Sequence, residues 1–304
     1  MINGIITPMV TPLLSDNLSL DLIGTKKLIE HIISGGVHGL FILGTTGEAT
    51  NLSYKTRIEL IIESCKIVNN RIPVFVGITD TSIEESIKLA SISKEAGATA
   101  VVAAPPYYYR LGQIELYKYY WNLADQVSLP LYLYNMPSHT KTNIDIDTTL
   151  KLSEHPNIIG LKDSSANTVY FQKLCHLFKN KDFCLLVGPE EVTSETVLMG
   201  GNGGVNGGSN MFPKLYVELY KATNAKDFKR IDELQHLVME ISTKIYSLGS
   251  FGSSYLKGMK GGLAALGIIE TNIAPPFHSF EEKEMKLVRE NIEKIKVELD
   301  KILK

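Results

Sequence analysis

The sequence predicts a protein of the α/β class, a (β/α)8 TIM barrel with a C-terminal helical domain. Three observations favour this fold. Eight short apolar runs alternate with segments of helical periodicity, which is typical of a parallel sheet covered on both faces. The turn after the first run, TPMVTP, contains no glycine, and the pattern from residue 225 onward is helical only. Eight such units suit a closed barrel, which usually takes about 250 residues.

The predicted strands are short and their apolar residues are continuous. They cover residues 4–6, 39–43, 74–77, 100–103, 131–134, 158–161, 184–187 and 203–205. Segments with helical spacing lie between them, among others over residues 20–34, 53–69, 82–96 and 114–126. An open doubly wound sheet is the structural alternative, but that fold more often carries a glycine fingerprint in its first β–α turn. The barrel is therefore preferred.

The C-terminal part of the chain is predicted to contain three helices, over residues 227–248, 254–266 and 280–303. The last segment is rich in charge, but its apolar positions recur at helical spacing, so we expect an amphipathic surface helix rather than an interaction tail. These positions are Met285, Val288, Ile292, Ile295, Val297 and Leu299. The predicted domains are a catalytic barrel over residues 1–224 and a helical domain over residues 225–304.

The composition narrows the class of function. Of the 304 residues, 44% are hydrophobic and 21% are charged, and the formal net charge is −2 at pH 7. This balance predicts no broad basic surface for nucleic acid or an anionic membrane, and no apolar run is long enough to span a bilayer. The first residues do not resemble a signal peptide, and the three cysteines are too scattered for a disulfide framework. We therefore expect a cytoplasmic protein whose cysteines lie in the core.

The segments that follow the predicted strands are candidates for a functional site, because catalytic groups of such barrels cluster at the C-terminal ends of the strands. After strands two, four, five, six, seven and eight come GTTGE, PPYYYR, YNMPSHT, KDSS, GPEE and GGNGGVNGG. This set contains one lysine, several hydroxyl groups and much exposed backbone, but few carboxylates and one histidine. The lysine and the hydroxyl groups therefore carry the functional argument.

Lys162 follows an apolar strand, IIGL, at a point where its ammonium group loses part of its hydration. Burial disfavours the charged form of an amine, so more neutral nucleophile is present to attack a ketone and form an imine. A protonated imine accepts electrons from the neighbouring carbon and so assists cleavage or formation of a C–C bond. The alternative is a lysine that extends to solvent and pairs with an acid such as Asp163. The residues themselves leave both interpretations open.

Hydroxyl groups on neighbouring strands fit the same chemistry. Tyr134 ends the strand before Lys162, and a phenol near the amine moves the protons of imine formation and hydrolysis. The adjacent Thr45 and Thr46 of GTTGE suit the binding of a small carboxylate or a proton relay to a tyrosine. Each feature also has a purely structural explanation. Tyr134 can be a tyrosine at the rim of the barrel whose hydroxyl contacts water. GTTGE can be a glycine turn whose side chains cap the next helix.

Other chemistries have less support. None of the seven histidines forms a metal-ligand motif with a carboxylate, and there is no G-x-S-x-G elbow and no P-loop. We expect no metal and no organic cofactor. GGNGGVNGG lies near strand eight, where many barrels bind phosphate, so a phosphate-binding isomerase or decarboxylase is a rival. Glycines that let the backbone approach a ligand or another strand explain this segment better.

Four of these segments in order, GTTGE, PYYY, YNMPSHT and GLKDSS, resemble the motifs of the dihydrodipicolinate synthase and N-acetylneuraminate lyase family of class I aldolases. The resemblance covers nearly the whole chain, from ITPMVTP to the helical C-terminus. It implies a (β/α)8 barrel with a C-terminal helical domain, no cofactor, and a homotetramer built as a dimer of dimers. It also implies that a small-molecule 2-keto acid and an aldehyde are the substrates.

The resemblance implies roles for the strand-end residues. Lys162 of GLKDSS would be the Schiff-base residue that captures the carbonyl of pyruvate or another 2-keto acid, and Tyr134 of YNMP would handle the protons. Thr45 would lie with Thr46 near the keto-acid carboxylate, and Thr46 would also link the tyrosines by hydrogen bonds.

Two further positions are implied in the same way. Tyr108 of PYYYR would reach into the site of a neighbouring subunit, with Tyr107 as the alternative because three tyrosines stand in a row. The backbone of Val205, within GGVNGG, would line the pyruvate pocket.

One residue departs from the dihydrodipicolinate synthase pattern. Those enzymes carry an arginine after the serine of YNxPSRT, where this chain has His139. A histidine near its reference pKa of about 6.5 is only partly charged at neutral pH and lacks the bidentate fork of a guanidinium. His139, Ser138 and Thr140 suit substrate hydroxyl groups instead. Sialic acid also fits poorly, since N-acetylneuraminate lyases typically have a Ser-Thr pair in the first turn.

The predicted function is that of a Schiff-base-forming lyase acting on pyruvate or a related 2-keto acid, as a 2-keto-3-deoxy sugar-acid aldolase or dehydratase. The protonated imine is itself the electron sink, so this chemistry needs no cofactor. One alternative is a 4-hydroxy-tetrahydrodipicolinate synthase, which condenses pyruvate with aspartate semialdehyde. An alternative of another class is a non-catalytic keto-acid sensor.

Overall fold

Eight parallel strands close into a barrel in the order in which they occur along the chain. The coordinates are a computed structural model that describes residues 2–303. The strands are β1 (Gly4–Pro8), β2 (Gly39–Ile42), β3 (Val74–Gly77), β4 (Ala100–Ala103), β5 (Leu131–Asn135), β6 (Ile158–Asp163), β7 (Cys184–Val187) and β8 (Gly203–Val205). The predicted fold class and all eight predicted strands are confirmed. β6 is longer than predicted, so that Lys162 lies within the strand rather than after it.

Helices surround the barrel. Those of the barrel segment are α1 (Leu22–Ser34), α2 (Tyr54–Val68), α3 (Ile83–Glu95), α4 (Gln113–Gln126), α5 (Pro137–Thr140), α6 (Ile146–Leu152), α7 (Thr168–Phe178), α8 (Thr193–Leu198) and α9 (Pro213–Ala225). Several begin at a side-chain cap, in which Asp21, Ser53 or Asn167 accepts a hydrogen bond from a backbone N–H of the first turn. No helix among residues 2–303 combines the length and the apolar composition needed to cross a bilayer.

The apolar core has two layers because successive strand residues point to opposite faces of the sheet. Inside the barrel lie aromatic and aliphatic side chains such as Phe41, Phe75, Tyr132 and Leu186. The outward-facing residues, such as Leu161 of β6, join a larger core beneath the helices. The inner layer therefore fills the barrel below the C-terminal ends of the strands and leaves only that end open to form a site.

The C-terminal region contains α10 (Phe228–Ile241), α11 (Ser254–Ala265) and α12 (Glu282–Ile302). The continuous helix predicted over residues 227–248 is wrong in one respect, because a π-helical turn, Ser242–Tyr246, follows α10. The wider turn changes the direction of its side chains, and Ser242 and Tyr246 line the cavity at the barrel mouth. The predicted boundary after residue 224 falls in the last turn of α9, and the division into two domains stays a prediction.

The amphipathic character predicted for the last helix is confirmed, with one exception. Its buried residues are Met285, Val288, Ile292, Ile295 and Leu299. Val297, which we included in the apolar face, is 45% exposed. The buried residues recur at intervals of three and four, so they form one stripe, and Val297 falls about 200° around the helix from Ile295.

The glycines of GGNGGVNGG serve close packing. A Cβ on Gly203 would lie 1.9 Å from the carbonyl oxygen of Gly4, so that only glycine lets β8 lie this close to β1. A Cβ on Gly207 would lie 1.9 Å from the hydroxyl of Tyr255, and one on Gly208 would lie 1.9 Å from that of Tyr216. The explanation of this segment by close approach of the backbone is supported. The three cysteines are buried, as expected for small core residues.

A buried carboxyl group connects the end of β7 to the C-terminal helices. Glu190 is 4% exposed and accepts hydrogen bonds from Gly208 N–H, at 2.8 Å, and from the hydroxyl groups of Tyr216 and Tyr246. Burial raises the pKa of Glu190 to about 7, against the opposing effect of these three hydrogen bonds. The barrel and the helices after α9 therefore share a polar junction whose charge changes near neutral pH.

We expect the ionisation of Glu190 to destabilise the folded protein as the pH rises. The folded state holds this proton more tightly than the unfolded chain, so stability is lost between the ordinary glutamate pKa of 4.5 and the folded value of about 7. At about 1.4 kcal/mol for each pKa unit, the loss is about 3 kcal/mol. Glu190→Gln removes this ionisation. The free energy of unfolding can be measured with urea at pH 5 and pH 8. The free energy of the variant should rise relative to that of the native protein between pH 5 and pH 8. If the difference between the two proteins is the same at both pH values, the assignment is contradicted.

Candidate active site

A single cavity of about 620 Å3 lies at the C-terminal ends of the strands. Its inner part is formed by barrel side chains, and its outer part by the loops after the strands together with the C-terminal region. Its lining includes Phe41, Thr45, Thr46, Tyr107, Tyr134, His139, Lys162, Ser164, Glu190, Glu191, Val205, Ser242, Ser247, Ser253 and Tyr255. Seven of the expected site residues thus lie in one cavity, counting Tyr107, and Tyr108 is outside its wall.

Lys162 projects into the barrel and is 6% exposed. Its Nζ lies 4.1 Å from the centre of the Tyr134 ring and 5.0 Å from that of Phe41. Among the described residues, no carboxylate lies within 4.0 Å of this amine in an ion pair. The amine therefore faces two aromatic rings and is held in no ion pair among the described residues.

The pairing of Lys162 with Asp163, which the sequence left open, is not formed. The two residues are neighbours on β6 and therefore point to opposite faces of the sheet. Asp163 accepts hydrogen bonds from Asn135 Nδ2, at 2.9 Å, and from the backbone and the hydroxyl of Ser165. Burial raises the pKa of Asp163, and these hydrogen bonds act in the opposite direction. The carboxylate thus belongs to the outer face of the barrel and not to the cavity.

Tyr134 lies beside Lys162 because β5 and β6 pair in register at these two residues. The Tyr134 hydroxyl is 3.1 Å from Thr45 Oγ1, so the two side chains share a hydrogen bond. Tyr134 is 5% exposed and its ring packs against the edge of Phe41. The phenol is therefore held by packing and by one hydroxyl contact, next to the amine.

Thr46 was expected to link the tyrosines by hydrogen bonds, and the tyrosine that it contacts within this chain is Tyr255. Thr46 Oγ1 lies 3.2 Å from the hydroxyl of Tyr255 in α11, and the contact with Tyr134 belongs to Thr45 instead. Adjacent residues of a turn direct their side chains differently, and the motif alone did not reveal which hydroxyl faces which tyrosine. Tyr255 was not singled out from the sequence, since nothing in SSYLKGMKGG distinguishes it from a packing residue.

The three tyrosines after β4 take different positions. Tyr107 lines the cavity of its own chain, whereas Tyr108 and Tyr109 are 73% and 76% exposed and pack edge to face on each other. Within a single chain, Tyr108 therefore contributes nothing to the cavity wall. Its expected role in the site of a neighbouring subunit stays a prediction.

Val205 and His139 lie at the two ends of the cavity. Val205, at the end of β8, is buried beside β1, where it pairs in register with Ile6. His139 lies in α5 at the mouth, where one ring nitrogen is 3.0 Å from the hydroxyl of Ser138. His139 is exposed, and partial desolvation of its ring lowers its pKa. A lowered pKa favours the neutral imidazole, which can both donate and accept a hydrogen bond.

The outer part of the cavity carries several hydroxyl groups and a carboxylate among apolar side chains. Its lining includes the hydroxyl groups of Ser164, Ser242, Ser247 and Ser253, and the carboxylate of Glu191. Glu191 accepts a hydrogen bond from Ser242. Among the described residues, Lys162 is the one lysine or arginine that lines the cavity. GPEE drew attention to Glu191 from the sequence, but the serines of the C-terminal region gave no such signal.

No metal site accompanies this cavity in the part of the chain that the structure describes. Nowhere within residues 2–303 do three histidine, cysteine, aspartate or glutamate side chains come close enough together to bind a metal ion. The side chains that line the cavity supply an amine, phenols, an imidazole, aliphatic hydroxyl groups and carboxyl groups.

Solved structures with the same architecture match this chain over nearly its whole length. A dihydrodipicolinate synthase structure from Bacteroides thetaiotaomicron is 52% identical, covers 96% of this chain and 98% of its own, and superimposes with a TM-score of 0.94. YagE, a prophage protein of E. coli K12 that belongs to the dihydrodipicolinic acid synthase family and was solved in complex with pyruvate, is 29% identical. It covers 97% of this chain and 99% of its own, with a TM-score of 0.92.

Sequence comparison leads to the same family. A 4-hydroxy-tetrahydrodipicolinate synthase from Aromatoleum aromaticum is 34% identical over 278 residues, which are 91% of this chain and 92% of that protein. The family model of the dihydrodipicolinate synthetase family matches residues 1–295. A match of this extent, on a barrel of the same topology, shows that the chain belongs to the dihydrodipicolinate synthetase family and is a class I lyase.

Proposed function

We propose that the protein forms an imine between Lys162 and a short 2-keto acid, with pyruvate as the simplest candidate. One observation carries the proposal. The buried Nζ of Lys162 has no acidic partner among the described residues and lies 4.1 Å above the ring of Tyr134, whose hydroxyl is held by Thr45. An amine that is held in no ion pair can approach a carbonyl carbon, and an adjacent phenol can transfer the protons of that addition.

The reaction begins when the neutral amine adds to the ketone carbon. Tyr134 transfers a proton to the departing hydroxyl group, water leaves, and a protonated imine remains. Loss of a proton from the neighbouring carbon gives an enamine, which adds to an aldehyde, and the reverse sequence cleaves the same bond. Hydrolysis of the imine then releases the product and restores Lys162.

The threonine turn suits the carboxylate of the keto acid. Thr45 and Thr46 lie at the cavity wall near Lys162, with their backbone N–H groups in a glycine-flanked turn. Thr45, through its hydrogen bond to Tyr134, takes the proton-relay role that we had expected for Thr46. The backbone of Val205 supplies the opposite wall.

The polar groups of the outer cavity favour a hydroxylated partner over a second carboxylate. A cavity of about 620 Å3 is far larger than a three-carbon acid needs, and its polar lining includes serine hydroxyl groups, His139 and Glu191 beside apolar side chains such as Met136, Leu256 and Phe277. A carboxylate there would meet Glu191 and no guanidinium, whereas hydroxyl groups can donate to Glu191 and accept from the serines. These contacts support a 2-keto-3-deoxy sugar-acid aldolase or dehydratase.

Two other functions follow from specific observations. The names of the relatives favour a 4-hydroxy-tetrahydrodipicolinate synthase, which would use aspartate semialdehyde. A non-catalytic keto-acid sensor would need only the binding pocket. The complete set of amine, phenol and threonine hydroxyl argues against the sensor, since binding alone does not require an unpaired amine beside a held phenol.

Borohydride reduction tests the imine directly. Pyruvate with borohydride should add one reduced pyruvate to the native protein, as measured by intact mass, and Lys162→Met should remain unlabelled. Lys257→Met is the matched control, because Lys257 has the same 6% exposure as Lys162. We expect this control to label fully. An unlabelled native protein, or labelling of Lys162→Met, would refute the assignment.

Substrate preference tests the role of His139. We expect turnover of pyruvate with a hydroxyaldehyde such as glyceraldehyde to exceed that with aspartate semialdehyde. His139→Arg should raise kcat/KM for aspartate semialdehyde about tenfold, since one charge-assisted hydrogen bond contributes about 1.5–3 kcal/mol. His139→Gln keeps a side chain of similar size but introduces no positive charge, so it should not raise kcat/KM for aspartate semialdehyde. Efficient turnover of aspartate semialdehyde by the native protein would favour the synthase.

The exposed Tyr108 supports an assembly in which a second subunit covers it. We expect a homotetramer arranged as a dimer of dimers, with Tyr108 buried against the partner's cavity. Sedimentation equilibrium should give four times the mass of the chain. Tyr108→Phe should keep that mass and lower kcat if its hydroxyl reaches the partner's site. A monomer with full activity would exclude this arrangement.

A further inference from the structure

The GTTGE turn is held by the C-terminal region at two points. Glu48, the last residue of the motif, is 3% exposed and forms an ion pair with Lys260 of α11, which is 1% exposed. The second Glu48 oxygen accepts a hydrogen bond from Ala274 N–H at 2.7 Å, and Lys260 also donates to the carbonyl of Asn272 at 2.6 Å. The proton-transfer chemistry uses neither member of this ion pair.

The second point of attachment comes from the same helix. Tyr255, also in α11, places its hydroxyl 3.2 Å from Thr46 Oγ1. One helix therefore contacts two alternate residues of the turn, Thr46 and Glu48. Thr45, which immediately precedes them, makes the contact with Tyr134.

The turn needs such external contacts to keep its shape. Glu48 has a φ angle of 57°, in the left-handed region that a residue with a side chain rarely adopts. Such a conformation persists only where surrounding contacts hold it. Glu48 also borders the cavity, while its side chain is fully buried beside Lys260. A buried carboxylate without a partner is costly, and rotation toward the cavity would relieve that cost while displacing residues 45–48.

We infer that Lys260 and Tyr255 are positioning residues, which hold the turn of residues 45–48 so that Thr45 stays within hydrogen-bonding distance of Tyr134. In this arrangement the C-terminal region lines the cavity and also keeps the residues of the turn in the position that proton transfer requires. The inference rests on the proposed function only for its effect on rate, since the distance between Thr45 and Tyr134 is measurable whatever the reaction is.

Lys260→Met and Tyr255→Phe test the two contacts separately. In a crystal structure of Lys260→Met, the distance from Thr45 Oγ1 to Tyr134 Oη should exceed the 3.5 Å limit of a hydrogen bond, from its present 3.1 Å. The rate of borohydride trapping with saturating pyruvate should fall about tenfold in Lys260→Met and about threefold in Tyr255→Phe. The reason is that Thr45 no longer holds the Tyr134 hydroxyl in the position from which it transfers protons. The final labelled mass should not change, since Lys162 is intact.

Two further variants separate positioning from a general loss of stability. Lys257→Met removes another buried lysine of α11, one without an acidic partner among residues 2–303, and should trap pyruvate within about twofold of the native rate. The double variant Glu48→Gln, Lys260→Met removes both charges and leaves an amide oxygen to accept from Ala274. It should restore most of the native distance and trapping rate.

The outcomes are distinguishable. If Lys260→Met melts at a lower temperature but keeps the 3.1 Å contact and the native trapping rate, Lys260 has only a structural role and the inference is overturned. A double variant as slow as Lys260→Met also contradicts it. If the native protein is not labelled at all, the proposed imine chemistry fails, and the crystallographic distance alone decides the positioning role. If Lys260→Met does not fold, Tyr255→Phe, which introduces no charge, decides it by the same two measurements.

Discussion

Side-chain alternation along β6 is the constraint on which the site depends. Because neighbouring residues of a strand face opposite sides of the sheet, Lys162 enters the barrel while Asp163 points outward to Asn135 and Ser165. The parallel register between β5 and β6 then places Tyr134 next to Lys162. A shift of one residue in β6 would exchange the faces of its side chains and bring the Asp163 carboxylate into the barrel. The unpaired amine is thus a consequence of strand geometry.

Three of the buried carboxyl groups near the barrel mouth are each stabilised in a different way. Asp163 is hydrogen-bonded by an amide, a hydroxyl and a backbone N–H, Glu48 is paired with Lys260, and burial raises the pKa of Glu190 to about 7. None of the three pairs with Lys162. A buried charge must find a partner or lose its charge, and here every carboxyl does so without drawing on the amine.

The cavity has two parts of different chemical character because it is built from two parts of the chain. The inner part, from the barrel strands, is aromatic and aliphatic around Lys162 and Tyr134. The outer part carries serine hydroxyl groups from the C-terminal region and the carboxylate of Glu191 from the loop after β7. We propose that covalent chemistry takes place in the inner part and substrate recognition in the outer part.

The sequence by itself determined the eight strands, the amphipathic last helix, and the positions of Lys162 and Tyr134 at strand ends, because these follow from local periodicity and from the order of short motifs. Only the tertiary structure decided that Thr45 rather than Thr46 contacts Tyr134, and that Tyr255 and Lys260 contact the turn of residues 45–48. These features depend on side-chain direction and on contacts between residues more than 200 positions apart, as in the hydrogen bond from Ala274 to Glu48, at a separation of 226. Local pattern carries no information on either.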